Sequence, residues 1–311
     1  MSRYIVRRVL LLLPMLLAIV FIVYGIMCLT PGDPAQIILG NRASPEAIAR
    51  TRAEMGFDKP FLTRYVNYVA NAATGDLGIS WRTKRPVFQV IAGRFPTTIK
   101  LSALAVLIAI LVGIPLGILA AVKQYSLFDV VGTAMAMFMA SIPGFWFGLM
   151  AIVLFSLKLG LLPSNGADSW RHFVLPAITL ALPVAASLLR LTRATMLETI
   201  RQDYIRMARA KGQSEYKVIF VHALKNALLP VVTATGMEFG GLLGGVVTIE
   251  TVFSINGVGM LIIDAIRMKD IPQVTGCAIF LAASFMILML FVDILYAYID
   301  PRIKARYQKM R

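Results

Sequence analysis

The sequence predicts an all-α integral membrane protein with six transmembrane helices. Of its 311 residues, 58% are hydrophobic and 15% are charged, whereas soluble domains average roughly 45–50% and about 25%. Long uncharged segments recur along the chain, and about 20 apolar residues at about 1.5 Å each are needed to cross a bilayer. Lysines and arginines stand at the ends of these segments, as topology and phospholipid head groups require.

The excess of basic residues does not indicate a nucleic-acid partner. The net charge is +15, but the lysines and arginines flank apolar segments, which is typical of contact with membrane lipid. We therefore expect no binding of nucleic acid. The two cysteines, Cys28 and Cys277, lie in or beside apolar segments and imply no disulfide.

Six apolar segments are long enough to cross a membrane. They are residues 9–29, 101–122, 130–157, 173–189, 227–249 and 271–299. Prolines within them predict kinks or breaks, which membrane helices tolerate when neighbours satisfy the freed backbone groups: Pro115, Pro143, Pro176 and Pro183.

The distribution of positive charge predicts that both termini are cytoplasmic. With that orientation, the inner segments hold 3 lysines and arginines at the start, Lys123, 8 between Arg190 and Lys225 and 5 in the tail, against 4 in the two short outer loops. We expect three parts: a cytoplasmic N-terminus with the first span (1–30), an extracytoplasmic insertion (31–96), and a five-helix core (97–311) with a cytoplasmic loop at 190–226.

The insertion reads as short helices separated by turns. Ser44, Pro45 and Glu46 supply the cap, the proline and the acid of a helix start, and Gly56 marks its end. A second helix is predicted from Pro60 through residue 68.

The predicted cytoplasmic loop contains the most distinctive sequence segment of the chain, DYIRMARAKGQSEYKVIFVHALKNALLP from residue 203. Its first part predicts a basic helix that ends at Gly212, which can take the left-handed conformation. Ser214 offers a cap for a second helix, with the apolar positions Tyr216, Ile219, Phe220 and Ala223 on one face.

This loop resembles the EAA loop of ABC-transporter permease subunits, through Ala208, Gly212 and the closing Leu229-Pro230. More narrowly, it resembles the dipeptide, oligopeptide and nickel permease family. Two departures from the general pattern fit the peptide branch: Arg206 replaces the name-giving glutamate, and the closing pair lies further from Gly212. Residues 31–34 (PGDP), 75–80 (GDLGIS) and 251–254 (TVFS) also resemble this family, and residues 162–176 resemble its glutathione-type members.

The resemblance implies a subunit of a bacterial importer that works by alternating access in the inner membrane. It implies four kinds of partner: a second homologous permease, two ATPase subunits, an extracytoplasmic solute-binding protein and membrane lipid. The loop would dock an ATPase through Tyr204, Arg206, Ala208, Arg209, Ala210, Lys211, Gly212 and Glu215. The alternative for the loop is a solvated segment that docks no partner. For the insertion, two roles stay open: a docking site for the solute-binding protein, or a scaffold that covers the helix ends.

No enzyme motif is present in the sequence. There is no phosphate loop, and the only histidines, His172 and His222, have no acid or cysteine patterned around them. We therefore expect no cofactor or metal on this chain, with ATP and magnesium bound by the partner ATPases.

Two acids lie within the apolar segments and are candidates for the solute path, because such residues are costly in a bilayer. Glu238 lies mid-span among Gly236, Gly240 and Gly241, so its alternative role is helix packing, while Asp293 is expected to be structural. The leading hypothesis is a permease for peptides or glutathione. The alternatives are a nickel or other small-solute permease, a proton-coupled secondary transporter using these acids, and a membrane hydrolase, which no nucleophile-base pair supports.

Overall fold

The computed structural model describes residues 2–40 and 42–299, and within these ranges the chain is helical. The described residues contain no strand, only one isolated antiparallel bridge between Ile79 and Pro86. The predicted all-α class is therefore confirmed.

The α-helices of the described residues follow one another with short connections. In chain order they are α1 Ser2–Leu29, α2 Pro34–Leu39, α3 Pro45–Glu54, α4 Phe61–Ala73, α5 Val87–Val122, α6 Leu127–Ser141, α7 Gly144–Ala151, α8 Val174–Ile200, α9 Asp203–Ala210, α10 Glu215–Lys217, α11 Leu224–Val252, α12 Val258–Arg267 and α13 Ile271–Ile299. Two π-helical segments, Ile152–Lys158 and Val218–Ala223, and one 3₁₀ segment, Trp170–Phe173, adjoin neighbouring helices.

Four continuous helical stretches are long and apolar enough to cross a membrane: Val87–Val122, Trp170–Ile200, Glu215–Gly244 and Ile271–Val292. The predicted span 130–157 is instead a broken pair, in which α6 and Gly144–Lys158 meet at 95°. The break lies at Pro143, where the missing backbone N–H ends the helix. If this pair is counted as one span, the described residues contain five candidate membrane spans.

The sixth predicted span coincides with α1, whose described apolar part is the shorter stretch Leu13–Leu29. The count of six spans therefore stays a prediction, and so does the division at residues 30 and 96. By their internal contacts, the described residues form two units: residues 99–255 with 288–299, and residues 2–98 with 256–287.

In the first unit, α5 and α8 pack with their backbones close together. A Cβ atom added at Gly113 would lie 2.5 Å from the carbonyl oxygen of Ala185, and one added at Gly117 would lie 2.7 Å from that of Leu189. Small residues permit such an approach, which drives helix association in membranes. Leu188, fully buried beside this contact, belongs to the largest apolar cluster of the unit.

A buried ion pair joins α6 to α8 in the same unit. Both carboxylate oxygens of Asp129 accept hydrogen bonds from Arg193, at 2.5 and 2.7 Å. The carboxylate also accepts from the backbone N–H of Tyr125 at 3.0 Å. Since Asp129 is only 2% exposed, these bonds offset the cost of removing its charge from water.

In the second unit, aromatic rings hold α4 against α1. The ring centroids of Tyr24 and Phe61 lie 5.8 Å apart, and those of Phe21 and Tyr65 lie 5.4 Å apart. The predicted helix start at residues 44–46 is confirmed, because the Ser44 hydroxyl accepts from the N–H of Ala47. The second insertion helix begins after Pro60 as predicted and ends at Ala73, five residues later than expected.

Candidate functional site

The candidate site is the 190–226 loop, and its first helix ends in a closed C-terminal turn. After α9, the N–H of Gly212 donates to Arg209 O at 2.9 Å, and the N–H of Gln213 donates to Ala208 O at 3.3 Å. This pair of bonds is the Schellman motif. Gly212 has φ +76°, so the predicted left-handed glycine is confirmed.

The helix α9 has a buried side and an exposed side. Ile205 and Ala208 are buried in a cluster with Met196 of α8 and Ala121 of α5. The side chain of Ala208 therefore packs inside the loop. The other predicted docking residues are exposed: Tyr204, Arg206, Arg209, Ala210, Lys211, Gly212 and Glu215.

The second helix of the loop continues into the predicted span that begins at residue 227. It runs without interruption from Glu215, through a π-helical segment, into α11, so that Pro230 lies inside a helix. Ser214 precedes it with extended backbone and makes no side-chain cap. The loop is therefore joined by a continuous helix to a membrane-length segment.

The predicted apolar face of this second helix is divided in the structure. Ile219 and Ala223 are buried, whereas Tyr216 and Phe220 are 69% and 44% exposed. The widened π-helical turn changes the angular spacing, so residues predicted to share one face are separated. The two exposed rings lie 4.8 Å apart and form an aromatic surface.

Three side-chain contacts tie α9 and its turn to the second helix. Arg209 donates to both carboxylate oxygens of Glu215, at 2.7 and 3.3 Å, across the Gly212 turn. Asn226 donates to the Tyr204 hydroxyl at 2.8 Å. His222 Nε2 and Gln213 Oε1 also lie 2.8 Å apart. The turn is therefore closed by side chains as well as by backbone.

Most of the positive charge of the loop remains available to a partner. Residues 201–226 contain six lysines and arginines and two acids. Both acids are paired, Asp203 with Arg206 and Glu215 with Arg209. Four exposed cations have no acidic partner among the residues that the structure describes: Arg201, Lys211, Lys217 and Lys225.

A cavity of about 450 Å³ lies between this loop and the ends of α5 and α8. Its walls are apolar at Ala121, Leu197 and Ile219, and Arg201 and Arg209 line it as well. The loop therefore presents a recess beside its basic surface.

Glu238 is half-buried on α11 and makes no hydrogen bond or ion pair with the described residues. Two residues earlier, Gly236 faces α13, where an added Cβ would lie 2.4 Å from Val292. Because residues two apart on a helix differ by about 200°, Glu238 points away from that contact. It lies beside Gly241, where an added Cβ would meet nothing within 4 Å. The side chain of Asp293 lies outside the described residues, as does the terminal segment 300–311.

The charged residues Asp129, Lys269 and Asp270 are buried, which was not predicted from the sequence. Each lies at a helix end or in a turn, so composition gives no sign that tertiary contacts enclose it. Within residues 2–40 and 42–299, no group of three or more histidines, cysteines or acids could hold a metal ion.

Comparison with known proteins identifies the family. Residues 113–305 match the family described as binding-protein-dependent transport system inner membrane component, and residues 1–102 match its N-terminal counterpart. The chain is 40% identical to the dipeptide transport system permease protein DppB of Alkalihalophilus pseudofirmus, over 98% of this chain and all of that protein. It is also 40% identical to the glutathione transport system permease protein GsiC of Escherichia coli K12, with the same coverage.

Solved structures show the same fold. The MetNI methionine ABC transporter, in an inward-facing conformation, matches with a TM-score of 0.59 and 17% identity, over 68% of this chain and 97% of that chain. An amino acid ABC transporter with histidines matches with a TM-score of 0.53 and 18% identity, over 69% and 94%. With near-complete matches to two permeases and with this fold, the chain belongs to the binding-protein-dependent transport system inner membrane components, the permease subunits of ABC importers.

Proposed function

We propose that this chain forms the translocation path for peptides or peptide-like solutes, either short peptides or glutathione, in an ATP-driven importer. The solute class follows from relatives that match the whole chain and are named for dipeptide and glutathione transport. Alternating access would carry the solute inward past Glu238, whose charge favours a cationic group.

The assembly would contain a second related permease, two ATPase subunits and an extracytoplasmic solute-binding protein. ATP and magnesium would bind to the ATPases, because this sequence has no phosphate loop. The two termini and the 190–226 loop would face the cytoplasm, where the ATPases lie.

The geometry of the 190–226 loop is the main support for this proposal. It exposes a basic helix and a left-handed turn, and it continues through an unbroken helix into α11. A displacement of the docked loop would therefore pass directly to a membrane-length helix that carries Glu238. A solvated loop without a docking role gives no reason for this rigid connection.

The substitution Gly212→Arg tests the docking role. A non-glycine residue in the left-handed conformation costs about 1 kcal/mol, and the large side chain would meet the ATPase surface. We expect near-normal membrane level but loss of the ATPase subunits on purification, or loss of transport when they remain bound.

Gly75→Arg is the matched control, because Gly75 has φ +89° and, like Gly212, has nothing within 4 Å of an added Cβ. It lies in the predicted extracytoplasmic insertion and should leave ATPase binding unchanged. Gly212→Asn separates backbone strain from bulk, since asparagine tolerates the left-handed region. Normal transport by Gly212→Arg would contradict the docking role.

The solute class is tested in proteoliposomes that contain the complete transporter. Uptake of a labelled dipeptide should require ATP and be competed by unlabelled dipeptides or by glutathione. Uptake of nickel without competition by either would support the nickel alternative. Uptake driven by a proton gradient without ATP would contradict the importer assignment.

A further inference from the structure

The loop at residues 80–85 of the second unit has a fixed conformation. The N–H of Ser80 donates to Arg85 O at 3.0 Å, and the N–H of Lys84 donates to Ser80 O at 2.9 Å. Next to these bonds, Ile79 and Pro86 form the antiparallel bridge. The loop is therefore closed at its base by backbone contacts.

A buried carboxylate anchors the loop from within. Asp270, 1% exposed, accepts from the Ser80 hydroxyl at 2.5 Å and from the N–H groups of Trp81 and Arg82 at 3.2 and 3.3 Å. A buried charge is retained only when hydrogen bonds satisfy it. The ring of Trp81 packs against Phe57, with the centroids 5.6 Å apart. The loop is therefore held by side chains on both sides.

Lys84 adopts a backbone conformation that lysine rarely takes, with φ +54°. Strained residues persist only where the surrounding structure determines them, and they occur often at functional sites. Here the contacts around Ser80 and Asp270 supply that constraint. These contacts hold Lys84 at the exposed tip of the loop.

The loop presents three cations within four residues: Arg82, Lys84 and Arg85. All three are exposed, and none pairs with an acid among the described residues. Crowded like charges repel one another, and a long outer segment crosses the membrane largely regardless of its charge. A rigid, unpaired basic loop is therefore suited to an acidic partner.

We propose that residues 80–85 are a docking site for an acidic surface of the extracytoplasmic solute-binding protein. This rests on the proposed function, which supplies such a partner on the predicted outer side. Complementary charge speeds and orients association, and a preorganised loop loses little conformational entropy on binding. The buried Asp270 positions the three cations and is not itself a contact residue.

The test uses the complete transporter in nanodiscs, with ATPase activity measured against the concentration of its purified binding protein. The substitution Lys84→Gly removes the cation and relieves the backbone strain, so a structural role alone would leave it neutral. The triple variant Arg82→Gln, Lys84→Gly, Arg85→Gln should raise the half-maximal concentration about tenfold or more. Its basal rate should be unchanged, and its response should depend less on salt.

Lys59→Gln is the matched control, because Lys59 is an exposed cation of the same unit without an ion pair among the described residues. Its dose response should equal that of the unmodified chain. An equal response for the triple variant, or an equal loss in the control, would overturn the proposal.

Anionic lipid is the other possible occupant of this loop. If the triple variant loses dependence on phosphatidylglycerol while its dose response is unchanged, the loop contacts head groups and the proposal is wrong. Absence of stimulation in the unmodified chain would instead overturn the proposed function on which the docking site rests. The two failures are therefore distinguishable.

Discussion

Arg209 and Glu215 were expected to contact an ATPase, yet in the chain alone they contact each other. Their two hydrogen bonds cross the Gly212 turn, with side chains 40% and 60% exposed. An exposed pair contributes little to global stability. Its effect is therefore expected on the orientation of α9 relative to the second helix.

Charge reversal distinguishes positioning from direct docking. We expect Arg209→Glu and Glu215→Arg each to lower transport per ATP several-fold, because each places like charges across the turn. The double variant should recover most of the coupling, since the pair is restored with reversed polarity. Transport per hydrolysed ATP in proteoliposomes is the measurement. A double variant as impaired as the single ones would indicate that both residues contact the ATPase.

The carboxylate of Glu238 is predicted to influence which solutes are transported. Because it points away from the α11–α13 contact, Glu238→Gln should leave assembly intact and reduce the preference for positively charged solutes. Competition uptake with cationic and anionic dipeptides measures this preference. If rate and preference are both unchanged, Glu238 has no role in solute selection.

At the scale of elements, the approach of α5 to α8 depends on two glycines one helical turn apart. Added side-chain atoms at Gly113 or Gly117 would overlap backbone oxygens, which cannot move independently of the helix. This contact holds α8 in place, and α8 leads directly into the candidate docking loop. The packing of α5 against α8 therefore helps to hold the 190–226 loop in position.

Gly117→Leu should force the two helices apart and destabilise the protein by about 1–3 kcal/mol. Thermal unfolding of the purified chain in detergent should show a lower midpoint. Gly132→Leu on α6 is the control, because an added Cβ there meets nothing within 4 Å. Equal midpoints for the two variants would contradict the importance of the close contact.

At the scale of the whole molecule, the orientation in the membrane remains the main prediction. The bias of lysines and arginines predicts that the 190–226 loop lies inside and the insertion outside. The candidate ATPase-docking loop and the proposed outer docking site must lie on opposite sides of the membrane. Both proposals therefore depend on this topology.

Single cysteines at Thr63 and Ser214, both exposed, test the topology in a chain whose native cysteines are replaced by serine. An impermeant maleimide applied to intact cells should label the cysteine at 63 and not the one at 214. The cysteine at 214 should react only after the membrane is opened. Labelling of both in intact cells would contradict the orientation, and the cysteine-free chain controls for background.

The membrane class, the positions of most helices and the left-handed turn at Gly212 could be predicted from the sequence. These features depend on local properties: the length of an apolar segment, a helix cap such as Ser44, and the conformational range of glycine. The family resemblance of the loop also lies within one short stretch. For these reasons they could be predicted without knowledge of packing.

Which residues of the loop face inward, and which charges are buried, depends on contacts between distant parts of the chain. The π-helical turn separated the exposed rings of Tyr216 and Phe220 from the buried side chains of Ile219 and Ala223, and the second helix continues into α11. Asp270 meets Ser80 across 190 residues of sequence. Such contacts depend on how distant segments pack, and periodicity in a single sequence carries no information about that packing.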